Sequence, residues 1–326
     1  MKHFLLTILS NTFAITVRLS FIPLRYTSFL LLPVALLRAQ KAPRLALSNF
    51  TKTSTLILKV LLSFLLGSLL FNTQAQVNLQ KPFQECGIPG SITIYDYQQK
   101  KWIFSNQKDA QYATLPASTF KIVNTLIALE TQTARDENEV IKWPGSTDTV
   151  KYGYRPNIYH DISMKEAFQK SAGWAYVEMA KKIGKPTYRR YLKKCGYGNV
   201  DLSQQDADFW NFGPFAISPQ NQVEILKAVY EETLPFSKRS FKILKKMMVV
   251  EKGKDYVIRA KTGWTRDGGK DTGWWVGYIS KVHHKKEVVY FFATRLIKPR
   301  STPNKRFGRC RKTITRAVFK QLGIIE

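Results

Sequence analysis

Strand-like runs stand at both ends of residues 77–326, and helix-like runs fill the stretch between them. Ser91-Ile92-Thr93-Ile94-Tyr95-Asp96-Tyr97 and Lys101-Trp102-Ile103-Phe104 are rich in β-branched and aromatic residues and flank a Gln-Gln-Lys turn, the pattern of a hairpin. Tyr256–Lys261, Trp274–Ser280 and Val288–Leu296 predict three more strands, the last two joined by a short polar turn. In the middle, Ile122, Leu126 and Leu129 recur at helical spacing within 119–130. Ser163-Met164-Lys165-Glu166 is a capping-box start for a helix expected to run to Ile183. A third helix is expected from Ser218 to Glu232, with Val223, Leu226 and Val229 as its apolar stripe, and a closing helix from about Lys312 to Gln321. Strands from both ends of a chain close most economically into one antiparallel sheet covered by helices, with the helical middle inserted as a lobe. The expected class is therefore α/β of the α+β kind, with a site in the cleft between sheet and lobe.

Residues 1–76 do not fit this scheme. They carry eight Lys/Arg and no Asp/Glu, and hold several apolar runs. The last run, Val60–Phe71, is 12 residues long, follows Lys59 and precedes Asn72-Thr73-Gln74-Ala75. A basic flank, a short apolar stretch and a small residue at a cut site make a secretory signal, too short to span a bilayer comfortably. The expected division is 1–56 as an over-extended reading frame or membrane-associated segment, 57–75 as signal peptide cut after Ala75, and 76–326 as the working domain, secreted to the periplasm. Contact with a membrane is expected only through the signal or the amino-terminal segment. The remaining 43 basic residues face 23 acidic ones, a net +20 over 77–326. No zinc-finger spacing, RNP-like signature or basic heptad region accompanies this charge, so no nucleic-acid partner is expected.

Cys86, Cys195 and Cys310 form no C-x-x-C pair, and the histidines (His3, His160, His283, His284) form no H-E-x-x-H, so no metal is expected. One disulfide with a leftover thiol and three isolated thiols both remain open. His283 and His284 read as solvated residues of the turn between the last two strands.

The chemistry begins at Pro116-Ala117-Ser118-Thr119-Phe120-Lys121. Residues i and i+3 share a helix face, so the Ser118 hydroxyl and the Lys121 amine can meet there, and a neutral lysine activates a hydroxyl without histidine. An S-x-x-K alone is common: about one match per chain of this length is expected by composition. Lys261-Thr262-Gly263 is rarer, and it ends one strand-like run just before another, as if projecting from a sheet edge. Ser171 opens Ser171-Ala172-Gly173 within the helical middle, and Tyr197-Gly198-Asn199 lies in a loop.

In this order the motifs resemble the penicillin-recognising serine enzymes. The closest resemblance is to the class D, oxacillinase-type, β-lactamases, carried further by Phe209-Trp210, Ile217-Ser218, Asn221-Gln222-Val223-Glu224 and Gly273-Trp274-Trp275-Val276-Gly277. It covers about residues 83–326. The resemblance implies a β-lactamase/transpeptidase-like fold and a β-lactam small-molecule substrate. It implies Ser118 as the acylated nucleophile and Lys121 as general base, carrying a CO2-derived carbamate and otherwise needing no cofactor. It implies Trp210 as the indole N–H that supports that carbamate, and Ser171 as the proton relay to the leaving nitrogen. Lys261, Thr262, Gly263, Trp264 and Arg311 are implied on the substrate side, with Arg311 just before the last helix and the Ser118 and Trp264 backbone N–H groups as oxyanion hole. Two positions depart from the family: Gly173 stands where an apolar Val is usual, and Asn211 where Leu follows the Phe-Trp pair. Both usual side chains shield the modified lysine from water. Two rival readings are a β-lactam-sensing or penicillin-binding domain that is acylated without turnover, and a non-enzymatic basic envelope-binding protein. Loops around 144–160 and 264–272 are expected to border the substrate.

Overall fold

A computed structural model of the chain describes residues 6–10, 13–17, 77–283 and 286–326. The chain divides into two compact units, 1–74 and 75–326. In the first, Leu6–Ser10 pairs antiparallel with Phe13–Val17. The expected signal segment, 57–75, lies outside the described residues.

The second unit is built on a six-stranded antiparallel sheet. Its strands are β1 (Gly90–Asp96), β2 (Lys101–Phe104), β3 (Val249–Lys252), β4 (Tyr256–Asp267), β5 (Lys270–His283) and β6 (Lys286–Pro299), in the order β2-β1-β6-β5-β4-β3. β6 joins the two ends of the chain by pairing with β1, Ala293 opposite Thr93 and Leu296 opposite Gly90. The helices used below are α1 (Lys81–Cys86), α2 (Lys121–Glu130), α3 (Met164–Lys170), α4 (Gly173–Ile183), α5 (Lys185–Cys195), α6 (Pro219–Glu231), α7 (Lys238–Met247) and α8 (Phe307–Gln321).

Successive residues of a strand point to opposite faces, and both faces of this sheet are covered. Trp274, Val276 and Tyr278 of β5, with Val289, Phe291 and Ala293 of β6, pack into the core shared with α2, α4 and α6. Their neighbours Trp275, Ile279, Phe292 and Leu296 pack into a second core with Phe83 of α1 and Ile314, Val318 and Phe319 of α8.

Three local expectations change. β4 and β5 run on past the predicted strands, so 264–272 is mostly a hairpin, not a loop. The turn is Gly268-Gly269, with φ of +55° and +71°, and two left-handed residues make the tight turn whose twist matches the flanking strands. The helix expected over 163–183 is two helices, α3 and α4, broken at Ser171, which adopts φ +57°. α8 begins at Phe307, because Phe307, Cys310, Ile314 and Val318 already form its buried stripe, so Arg311 lies inside the helix. His283 is the last residue of β5 and His284 lies outside the described residues.

The cysteine question resolves into a Cys86–Cys310 disulfide with Cys195 free and buried. Burial pushes the Cys195 thiol up to about 12. The bridge ties α1 to α8 across a sequence separation of 224. A loop that long is costly to leave open in the unfolded chain, so the bond contributes on the order of 4–5 kcal/mol in the loop-closure picture. Reduction, or the Cys86→Ser/Cys310→Ser double variant, is expected to lower the melting temperature clearly in a calorimetric scan; an unchanged Tm would refute the bridge.

Candidate active site

Ser118 sits in a 3-10 turn, Ala117–Phe120, that runs directly into α2. The turn is constrained from several sides. Ala117 has φ +51°, a conformation costly for a residue with a Cβ. Its N–H donates to Trp210 O at 2.9 Å, Trp274 Nε1 donates to Leu115 O at 2.9 Å, and Gln222 Nε2 donates to Thr119 Oγ1 at 2.7 Å. Beneath it, the Phe120 ring is surrounded by Tyr188, Tyr197, Phe209, Trp210 and Phe215 at centroid distances of 5.4 to 5.9 Å. The surrounding fold thus holds Ser118 in one position.

Lys121 is the first residue of α2 and is fully buried. Its Nζ donates to Ser118 Oγ at 3.0 Å and lies 4.8 Å from the Tyr176 ring centroid. Burial, aided by the charge of Arg155, lowers its amine to about 7. A lysine poised there is half neutral near physiological pH, so it can accept a proton.

Lys261 and Thr262 lie within β4, not at its end. They are nonetheless at a free edge, because β3 pairs with β4 only as far as Arg259. The open edge faces the Ser118 turn. A Cβ on Gly263 would come within 2.9 Å of Pro116 O, so only glycine permits this approach. Lys261 Nζ donates to Ser171 Oγ and to Thr262 O, each at 3.0 Å. Burial, then the charges of Lys121 and Arg311, hold Lys261 well below the usual lysine range. The structure therefore contains two Ser–Lys pairs, 118–121 and 171–261, drawn from three separate stretches of sequence.

Arg311 reaches from α8 to the same edge. Its guanidinium donates to Gly308 O at 3.1 Å and to Gly263 O, and its Cζ is 5.7 Å from the Trp264 ring centroid. Burial lowers it to about 10, still charged at neutral pH. Trp264 is 40% exposed above it, with Nε1 bonded to Asp271 at 2.9 Å. Trp210 is fully buried, and its Nε1 has no hydrogen-bond partner among the described residues.

Ser118, Ser171, Thr262, Gly263, Trp264 and Arg311 border one cleft of about 550 Å³. Five of its lining residues are Lys or Arg and none is Asp or Glu, so it favours an anionic ligand. Gly173 and Asn211 also line it, and a Cβ added at Gly173 meets no atom within 4 Å. Tyr197-Gly198-Asn199 is not part of the cleft wall. Asn199 bonds to Pro214 O and Ala216 N and the Gly198 N–H to Asn221, bracing the loop that carries Phe209-Trp210. Among the described residues, no three His, Cys, Asp or Glu side chains stand close enough to hold a metal ion.

The loop expected around 144–160 does border the cleft, but what anchors it and what it reaches escape a reading of the sequence alone. The segment 147–159 forms one wall, held by a Tyr152 hydroxyl bond to buried Asp208 and by Lys151 at 2.9 Å from Asp206 and 3.2 Å from Asp208. Arg155, in the same segment, reaches the Ser171 turn. Only the acidic pair just before Phe209-Trp210 hinted at the first, and nothing local signals the second.

The penicillin binding protein transpeptidase domain family matches residues 90–315. The chain is 38% identical over 216 residues to β-lactamase OXA-20 of Pseudomonas aeruginosa, covering 66% of this chain and 78% of that one. It is 35% identical over 243 residues to β-lactamase OXA-48 of Klebsiella pneumoniae, covering 74% and 87%. The crystal structure of a class D β-lactamase from Sebaldella termitidis superposes with a TM-score of 0.71 at 43% identity, over 77% of this chain and 98% of that one. A family domain matched over residues 90–315, with relatives of this kind aligned across most of their length, places the chain among the class D serine β-lactamases.

Proposed function

We propose that the chain hydrolyses the β-lactam amide of penicillins and related antibiotics through an ester on Ser118. The observation that carries this reading is the 3.0 Å contact between Ser118 Oγ and the buried Lys121 amine, lowered to about 7. Ser118 Oγ attacks the lactam carbonyl while its proton moves to the end of the Lys121 side chain. The ring C–N bond breaks, and the nitrogen takes a proton from Ser171 Oγ, which Lys261 Nζ backs at 3.0 Å. The backbone N–H groups of Ser118 and Trp264 receive the developing oxyanion, a contribution that typically amounts to ~10²–10³ in rate per donor. Thr262 and Arg311 take the substrate carboxylate, for which a planar guanidinium suits. Water then cleaves the ester and restores Ser118.

Lys121 is further suited to carry a CO2-derived carbamate. Carbamylation needs a neutral amine, which this burial supplies, and a buried carbamate needs donors. The unpartnered Trp210 Nε1 is a donor without an acceptor. When bound, the group supplies a carboxylate base. Activity is expected to fall in CO2-depleted buffer and to recover with bicarbonate; indifference to both would count against the carbamate.

Turnover of a chromogenic cephalosporin, with intact-protein mass spectrometry, tests the main reading. Repeated turnover supports hydrolysis, whereas a lasting adduct without turnover would mark an acylated sensor. Absence of any adduct would leave a binding protein. Residues 57–75 are proposed to direct export to the periplasm, with maturation after Ala75; a mature chain sequenced from an earlier residue would refute this.

A further inference from the structure

The Ser171 turn has an unusual construction. α3 ends in a left-handed residue that is not glycine, and the cap is a Schellman pair: Ala172 N–H donates to Ala167 O at 2.9 Å and Ser171 N–H to Phe168 O at 3.2 Å. That pair satisfies two of the carbonyls left open where a helix ends. The Lys170 and Ser171 carbonyls are met instead by one guanidinium. Arg155 Nη2 donates to Lys170 O at 2.7 Å and Nη1 to Ser171 O at 3.2 Å.

The segment that carries Arg155 is itself pinned on both sides. The Arg155 N–H donates to the Tyr159 hydroxyl at 2.9 Å, and Trp174 Nε1 donates to Ile158 O at 2.6 Å. On the other side Tyr152 bonds to Asp208. Arg155 has no carboxylate partner among the described residues, so its charge is not neutralised locally.

We propose that Arg155 is a positioning residue for the active site: its fork, on the Lys170 and Ser171 carbonyls, holds the left-handed Ser171 turn in register with Lys261. This rests on the roles proposed above for Ser171 and Lys121. The fork occupies the carbonyl side of Ser171 and so fixes the direction of Oγ, which receives the Lys261 bond. The charged and titratable groups facing Lys121 are Ser118 from its own turn, Tyr176 from α4, Lys261 from β4 and Arg155. Arg311 and Lys312 of α8 stand behind Lys261. None is an acid. After burial, the charge of Arg155 is the other influence lowering the Lys121 amine.

The two effects separate with two variants. Arg155→Lys keeps the charge and loses the fork, and Arg155→Gln loses both. Arg155→Gln is expected to lower kcat by ~10–100-fold with little change in KM, since small misplacements near reacting groups cost that much. It should also move the acid limb of the kcat/KM profile up by at least ~0.5 pH unit, because a missing neighbouring cation lets Lys121 hold its proton to higher pH. Arg155→Lys should lose kcat while keeping the limb in place. A readout without substrate is the Lys121 titration followed by 13C NMR of lysine-labelled protein in CO2-free buffer, whose midpoint should rise in Arg155→Gln alone. Wild-type kcat with an unmoved midpoint in Arg155→Gln would overturn the proposal, as would a loss of kcat that merely tracks a lower Tm with no pH displacement. Failure of the proposed function is distinct from these outcomes: it appears in the wild type as absence of turnover and of an adduct, while the NMR midpoint still reports on Arg155.

Discussion

Ser118→Ala is expected to abolish the covalent adduct and to lower turnover by on the order of 10⁴–10⁶-fold, the scale seen when a serine enzyme loses its nucleophile. The prediction is sharp because the cleft offers a second candidate. Ser171 Oγ also accepts from a buried lysine at 3.0 Å, so the Ser–Lys contact alone does not identify the attacking hydroxyl. The two sites differ in their backbones. Ser118 follows a strained left-handed alanine in a turn fixed by Trp210, Trp274 and Gln222, whereas Ser171 is itself the left-handed residue at a helix end. Ser171→Ala is therefore expected to slow the reaction while leaving Ser118 able to form an adduct. Among the described residues the Ser118 side chain has a single hydrogen bond, to Lys121, so Ser118→Ala should keep its stability within ~0.5 kcal/mol of wild type. Mapping the adduct by peptide mass spectrometry decides between the serines. Near-normal turnover in Ser118→Ala, or an adduct mapped to Ser171, would overturn the assignment.

The architecture was legible because strands at the two ends of a chain can satisfy their edges together, and β6 does pair with β1. The site was legible where chemistry and spacing coincide: a serine and lysine three residues apart meet by helix geometry alone. The Lys261 and Ser171 contact spans 90 residues of sequence, and no local rule predicts it; the motif resemblance implied only that both residues belong to one site. What could not be read were breaks in regular structure whose cause is remote. The α3–α4 break at Ser171 has its end carbonyls met by an arginine 16 residues away, outside either helix. The early start of α8 depends on Phe307 and Cys310 finding a sheet face and a disulfide partner. The length of β4 and β5 depends on a Gly-Gly turn whose effect appears only once both strands are paired.

Lys121→Met should reveal what the fold gives up to keep a neutral amine in its core. Activity is expected to fall by ~10²–10⁴-fold, the usual contribution of a proton-transferring group. Stability is expected to move the other way at low pH. The amine is lowered from an ordinary 10.5 to about 7 by folding. Between those values the unfolded chain binds the extra proton and the folded chain does not, so stability from this group rises with pH across that window. Below about pH 7 the folded protein must bury a charge, and the full cost, at most roughly 5 kcal/mol, is present. Methionine fills nearly the same volume without the amine. In CO2-free buffer the variant should therefore melt above wild type at pH 6, with the gain shrinking steadily toward pH 10. Bicarbonate should narrow the gap further by stabilising wild type alone, since a ligand that binds only the folded state adds to its stability. A variant less stable than wild type at pH 6, with a pH-independent difference, would show that folding does not lower the Lys121 amine and would overturn its role as a neutral base.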